Sequence, residues 1–182
     1  MLEGDALAVP LPAGPSALVA NLPYNVAVPV LLRVLADVPT ISSGVVMVQA
    51  EVGERLAAPP GSKIYGAPSV KAAWYGGFAL AGSVGRAVFW PVPNVDSVLV
   101  RFARGAARGD DELRRSVFRV VDAAFQQRRK TLRQALAGIA GGTGGAEALL
   151  TGAGVDPGER GERLGIEEYL ALGRALLDRA AT

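Results

Sequence analysis

The 182 residues contain no cysteine and no histidine. Disulfides, thiol chemistry and Cys/His zinc sites are therefore excluded, and so are Ser-His-Asp and Cys-His nucleophilic sites. Any catalysis must run on carboxylates, amides, hydroxyls, aromatic rings or backbone dipoles. No apolar run reaches the ~18–20 residues that span a bilayer. The opening stretch, MLEGDALAVPLPAGPSALVA, lacks the basic segment that starts a signal peptide and carries acids at Glu3 and Asp5. A cytoplasmic protein with no membrane partner and no metal is expected.

The composition is that of a globular chain: half of the residues are apolar and 20% are charged, which separates it from disordered sequences. The net charge is only +2, but its distribution is uneven. Arg101, Arg104, Arg108, Arg114, Arg115, Arg119, Arg128, Arg129, Lys130 and Arg133 crowd a stretch where only Asp110, Asp111, Glu112 and Asp122 oppose them. Such a local excess suits phosphate. It equally suits a solvated helix face.

Ser16–Ala20 is a short apolar run closed by Asn-Leu-Pro-Tyr-Asn, and the turn chemistry at its end favours a buried strand. Val26–Ala36 reads as a helix, with Pro29 required to fall in its first turn. Gly44–Gln49 reads as a second buried strand and Glu51–Ala58 as a short helix. Strand, loop, helix, strand is the grammar of a parallel α/β sheet. Pro59-Pro60-Gly61 breaks the chain; a helix over Ser69–Tyr75 and strands over Phe78–Ala81 and Val95–Phe102 follow. The last strand is expected to pair antiparallel at the end of the sheet, after a proline-rich turn. Beyond Ala103 the pattern becomes helical. Asp110 or Asp111 should cap a long helix with Val117, Val120, Val121, Ala124 and Phe125 on one face. GGTGG at 141–145 reads as a flexible break, and Ile166–Arg179 as a final helix. The expected fold class is α/β: a partial sheet over residues 1–104, followed by a small all-helical domain over 105–182.

Asn21-Leu22-Pro23-Tyr24 stands where a parallel strand ends, and open α/β sheets bind ligands outside the carboxyl ends of their strands. The residue types suit methylation of an exocyclic amine on a nucleobase. That amine is a weak nucleophile because its lone pair is delocalised into the ring. The Asn21 side-chain oxygen and the Leu22 carbonyl can each accept one of its N–H groups, which favours a pyramidal nitrogen with its lone pair free. Pro23 fixes the backbone so that the carbonyl faces the site, and Tyr24 offers a ring on which a base stacks, worth ~1–3 kcal/mol. An ordinary strand-to-helix turn with a capping Asn and a packed Tyr is the competing reading. Phe89, in a proline-held loop, can present a second ring to the same base or simply join the core. Asp5 is the one early acid placed as a cofactor ligand would be. In QRRKTLR (127–133), three consecutive cations cannot share one helix face, so some must point to solvent or to a polyanion.

These elements occur together, and in order, in a known family. The chain resembles the small-subunit (16S) ribosomal RNA adenine N6,N6-dimethyltransferases at GDAL (4–7), NLPYN (21–25) and QAEVGERLAAPPGSKIYG (49–66). The likeness continues at FWPVPNVDSV (89–98), FQQRRKTLRQAL (125–136) and LTGAGVDPGERGERLGIEEY (150–169). It implies a Rossmann-like methyltransferase domain followed by a helical RNA-binding domain. It also implies methyl transfer from S-adenosyl-L-methionine to two adjacent adenosines near the 3′ end of small-subunit rRNA, in a pre-30S particle. In that likeness Asn21 and the Leu22 carbonyl orient the target amine, Asn21 also lies near the cofactor, Tyr24 and Phe89 enclose the base, and Asp5 sits by the cofactor's adenine. Arg128, Arg129, Lys130 and Arg133 would meet RNA.

The chain departs from the family's pattern in places. The glycine-rich loop and ribose-binding acid that the family carries before the position of Asp5 have no counterpart here. The strand bearing Asn21 is thus expected to expose an edge and apolar faces, and the chain to be poorly stable alone, self-associating, or a fragment from a mis-called start codon; as it stands it is expected to lack methyl transfer activity. Asn94, Ala73 and Ala50 replace the family's usual Lys, Gln and basic residue. Two alternatives remain: a large-subunit rRNA adenine methyltransferase, against which QRRKTLR argues, and a non-catalytic rRNA-binding assembly factor.

Overall fold

The computed structural model describes residues 3–180. In chain order its elements are β1 (Ala17–Asn21), α1 (Ala27–Asp37), β2 (Ser43–Gln49), α2 (Ala50–Leu56), α3 (Ala67–Tyr75), β3 (Gly76–Val84) and β4 (Ser97–Arg104), then α4 (Asp111–Gln126), α5 (Leu132–Ala135), α6 (Ala137–Ala140), α7 (Thr143–Gly152) and α8 (Ile166–Ala180). Two compact units result. One comprises residues up to 57 with 75–106; the other comprises 58–74 with 107 onward.

The first unit is a four-stranded sheet of order β1-β2-β4-β3, with β1 parallel to β2 and the other pairs antiparallel. The α1 crossover returns the chain so that β2 runs beside β1 in the same direction. Pro29 is the third residue of α1, in the first turn, where its missing N–H costs nothing. Val46 lies opposite Val100 and Val48 opposite Val98, and all four are buried. The helix α2 packs on this face so closely that a Cβ on Gly53 would run into the side chains of Val98 and Val100. Phe102 extends it by stacking on Phe78 at 5.4 Å.

The strand expected at the end of the sheet lies inside it instead. β4 carries buried Val98, Val100 and Phe102, whereas most of β3 is exposed or half-exposed, so the more apolar strand takes the place with neighbours on both sides. β1, expected from the sequence to be a buried strand, instead occupies the opposite edge, where its residues are exposed or half-buried and Val19 is 84% exposed, because only β2 pairs with it.

In the second unit, Asp110 caps α4 by accepting from the Leu113 amide at 2.8 Å. Val117, Val120, Val121 and Ala124 are buried, as the periodicity predicts, and α4 packs along α8. Phe125 is half-buried, with its ring 6.0 Å from Tyr65 and 6.3 Å from Tyr169. The two tyrosine hydroxyls donate to the carbonyls of Leu164 and Gly161, each at 2.9 Å.

The sequence boundary at 104 placed residues 58–74 with the sheet. In the structure they pack with the helices, through the Tyr65 bond, a Trp74–Phe118 edge contact at 6.2 Å and a Lys71–Asp122 ion pair at 2.7 Å. The GGTGG stretch is likewise not wholly a break. Gly141 ends α6 in the left-handed region (φ 78°), but Thr143, Gly144 and Gly145 begin α7. A Cβ on Gly145 would run into the Ala140 carbonyl oxygen, so glycine there serves close packing.

Candidate active site

The strand register gathers the sheet unit's candidate residues at one end of the sheet. Asn21 ends β1 opposite Met47, while Gln49 at the end of β2 lies opposite Ser97 at the start of β4. Val84 at the end of β3 also lies opposite Ser97. The Asn21–Tyr24 loop and the loop that carries Phe89 therefore leave the sheet from the same end, at its two opposite edge strands.

Asn21 is exposed, and its side-chain amide makes no hydrogen bond among the described residues. The Leu22 amide donates to the Met47 carbonyl at 3.1 Å, which extends the β1–β2 ladder by one residue. Leu22 itself is buried, and no donor is found on its carbonyl among the described residues. The buried side chain thus anchors a backbone whose acceptor is left open. Pro23 is exposed, and its carbonyl accepts from the Val26 amide at 3.2 Å, closing the turn into α1.

Tyr24 is half-buried, and its hydroxyl lies 2.7 Å from the hydroxyl of Ser97. Ser97 has no exposed surface. This bond ties the Asn21–Tyr24 loop to the first residue of β4, 73 positions away. Beside it the Asp96 carbonyl accepts from the Ala50 amide at 2.9 Å. Ser97 was quoted within a motif but given no role by sequence reasoning. The available signal was a serine opening an apolar strand, since a buried hydroxyl requires a partner.

Phe89 follows a 3-10 turn at Arg86–Val88 and is half-buried. Its loop is braced by Arg86, which pairs with Asp96 at 3.2 Å and donates to the Asn94 carbonyl at 3.4 Å. The Phe89 and Tyr24 rings make no ring contact with each other among the described residues. Asp5 stands apart: one carboxylate oxygen accepts from the Leu7 amide at 2.8 Å. Arg33 of α1 holds its turn through the carbonyls of Ala6 (2.7 Å) and Val9 (2.8 Å). No hydrogen bond joins that turn to the Asn21–Tyr24 loop among the described residues.

In the helical unit the basic run forms the turn between α4 and α5. Its four cations are not equivalent. Arg128 bonds Glu162 at 2.9 Å and the Lys63 carbonyl at 2.6 Å, and Arg133 pairs with Glu147 at 3.2 Å. Arg129 and Lys130 are exposed and have no such partner among the described residues.

No helix among the described residues is long and apolar enough to cross a membrane. Nor do they hold a group of three or more His, Cys, Asp or Glu residues placed to bind a metal ion.

Known proteins resemble the chain over most of its length. The family model for ribosomal RNA adenine dimethylase matches residues 11–176. The ribosomal RNA small subunit methyltransferase A of Leifsonia xyli is 63% identical over 174 residues, covering 94% of this chain and 62% of the relative. Its counterpart in Thermobifida fusca is 61% identical over 155 residues, covering 85% of this chain and 54% of the relative. The chain thus spans little more than half the length of these relatives. A dimethyladenosine transferase from Plasmodium falciparum has the same fold at 20% identity and a TM-score of 0.79, over 94% of this chain and 70% of that one. With its family model matched over most of its length, the chain belongs to the ribosomal RNA adenine dimethylase family.

Proposed function

We propose that this chain carries the base-binding half of an enzyme that dimethylates adenine N6 in small-subunit ribosomal RNA, at two adjacent adenosines near the 3′ end. The observation that carries the reading is the pair of open acceptors at the end of β1: the Asn21 amide oxygen and the Leu22 carbonyl. Two acceptors match the two N–H groups of an adenine amine, and no donor satisfies either acceptor among the described residues. Tyr24, clamped by Ser97 at 2.7 Å, and Phe89, on a loop leaving the same end of the sheet, supply ring faces for the base. The base must be unstacked from its neighbours to reach them.

S-adenosyl-L-methionine would supply an electrophilic methyl whose sulfonium leaving group needs no covalent enzyme intermediate. The residues fit that role in part. Asn21 is polar, exposed and unpartnered at the strand end where a cofactor meets an α/β sheet, and Asp5 retains one carboxylate oxygen with no partner among the described residues. The work of the chain's own residues is then positional: they hold the amine with its lone pair directed and its base immobilised. Arg129 and Lys130 are the cations available to RNA phosphate. Arg128 and Arg133 shape the turn through Glu162 and Glu147. The partner is small-subunit rRNA within a pre-30S particle, and the setting is the cytoplasm.

The test is dimethyl sulfate probing of small-subunit rRNA bound to the chain. The two adjacent adenosines are expected to be protected at N1, and Asn21→Ala should remove that protection while RNA stays bound. Bound RNA with both adenosines still reactive would overturn the base-binding reading in favour of an rRNA-binding assembly factor.

A further inference from the structure

We infer that a second anion-binding surface, running along α4 and bordered by α8, grips the phosphate backbone of the RNA. The inference rests on the reading that this chain binds RNA, and it adds a surface outside the 128–133 turn. A groove of about 500 Å³ is lined by Arg115, Arg119 and Arg179, with Glu112 as its one acid and Ile139 and Leu176 on its floor. A second hollow of about 390 Å³ shares Arg115, Arg119 and Ile139 and extends to Gln126. A third, of about 300 Å³, starts at Gln126 and is lined onward to Lys130. Because neighbouring hollows share lining residues, they form one track that ends at the turn holding Arg129 and Lys130, unpaired among the described residues.

Helical spacing explains the track. Arg115, Arg119, Asp122 and Gln126 are separated by four, three and four positions, so they share one face of α4. From Arg115 to Gln126, within α4, the track covers roughly 16 Å at 1.5 Å per residue, a span long enough to meet several consecutive phosphates.

The charges along it are only partly neutralised within the protein. Asp122 is taken by Lys71 at 2.7 Å. Asp111 is shared by Arg114 and by Arg115, the latter at 2.7 Å. Arg179 donates to the Gly145 carbonyl at 2.9 Å and pairs with no acid among the described residues. Arg119 is exposed and has no hydrogen bond or ion pair among the described residues. A planar guanidinium suits a phosphate bidentately, and the apolar floor suits the ribose and base edges beside it. Continuity with the 128–133 turn favours RNA over an acidic protein segment as the occupant.

The experiment uses the full chain and a fluorescently labelled small-subunit rRNA hairpin, with anisotropy followed across roughly 50–200 mM salt. Loss of two phosphate contacts in Arg115→Gln/Arg119→Gln should lower the slope of log affinity against log salt by about 1.4–1.8. It should also raise Kd roughly 25- to 60-fold at about 0.1 M salt, each contact scaling as the ~0.7–0.9 power of salt. Arg115→Lys/Arg119→Lys should restore the slope. Arg119→Gln alone, which breaks no internal pair, should remove about half of the effect and guards against misfolding of the double variant.

Wild-type slope and Kd in these glutamine variants, while Arg129→Gln/Lys130→Gln weakens binding, would overturn the groove and leave the turn as the RNA contact. Absence of RNA binding by the wild type would overturn the proposed function itself. Unchanged RNA affinity with lost affinity for poly-glutamate would assign the groove to an acidic protein and overturn the RNA inference.

Discussion

Replacing Tyr24 by Phe removes one oxygen atom and tests how the candidate site is held together. The Tyr24 hydroxyl lies 2.7 Å from that of Ser97, which has no exposed surface and no other side-chain hydrogen bond among the described residues. In Tyr24→Phe the serine hydroxyl is stranded away from water, at a cost of about 1–3 kcal/mol. Ser97→Ala is milder. The tyrosine hydroxyl is only part-buried and can turn to solvent, so only the net bond is lost, about 0.5–1.5 kcal/mol. In the double variant both polar partners are gone and nothing is stranded, so it should be more stable than Tyr24→Phe alone. The coupling should be read by urea unfolding followed by circular dichroism, with hydrogen exchange of the β2–β4 ladder reporting on the sheet unit separately. A neutral Tyr24→Phe, or strictly additive single variants, would refute the clamp. Tyr24→Phe keeps the ring, so base stacking should survive in it and fail in Tyr24→Ala.

Two further predictions concern the helical unit. A Cβ on Gly173 would lie 3.1 Å from the backbone N and Cα of Val117 and nearer still to its side chain. Gly173→Ala should therefore destabilise by about 1–3 kcal/mol through overpacking, despite alanine's better helix propensity; a raised urea midpoint would contradict the tight approach of α4 and α8. Burial, reinforced by Glu168, pushes the Tyr65 hydroxyl up to about 12, and burial raises Tyr169 as well. Both are neutral in the folded state, whereas unfolded tyrosines ionise near pH ~10. The stability Tyr65 contributes is complete below that pH and is lost as pH rises through about 12, while the contribution of Tyr169, raised further by its deeper burial, goes on being lost at still higher pH. Melting temperature should fall in that window, and less steeply in Tyr65→Phe; an equally steep fall in that variant would exclude Tyr65 as the cause.

What could be read in advance was governed by local chemistry. Asp110 caps α4 because an aspartate three residues before a free amide is a contact within one turn. The apolar face of α4 and the β1-α1-β2 order follow from periodicities that no distant residue alters. Asn21 to Tyr24 stood out because an amide, a proline and an aromatic are an unusual closure for a short apolar strand. The likeness to the family extended that reading to Phe89 and the basic run.

The tertiary structure decided which of these residues act together. Arg128 and Arg133 look like Arg129 and Lys130 in the sequence, yet they are engaged by Glu162 and Glu147, acids 34 and 14 positions away. Ser97 is an ordinary strand-opening serine until the β2–β4 register sets it beside Tyr24. Residues 58–74 read as a continuation of the sheet half, but Tyr65 and Trp74 find their aromatic partners on the helices. β4 is interior because it is the more apolar neighbour of β3, a comparison between strands that periodicity within one strand does not contain. The sequence by itself determined the elements, their caps and the chemistry available at the end of β1. Pairing across long separations depends on which surfaces exclude water together, and only the folded chain decides that.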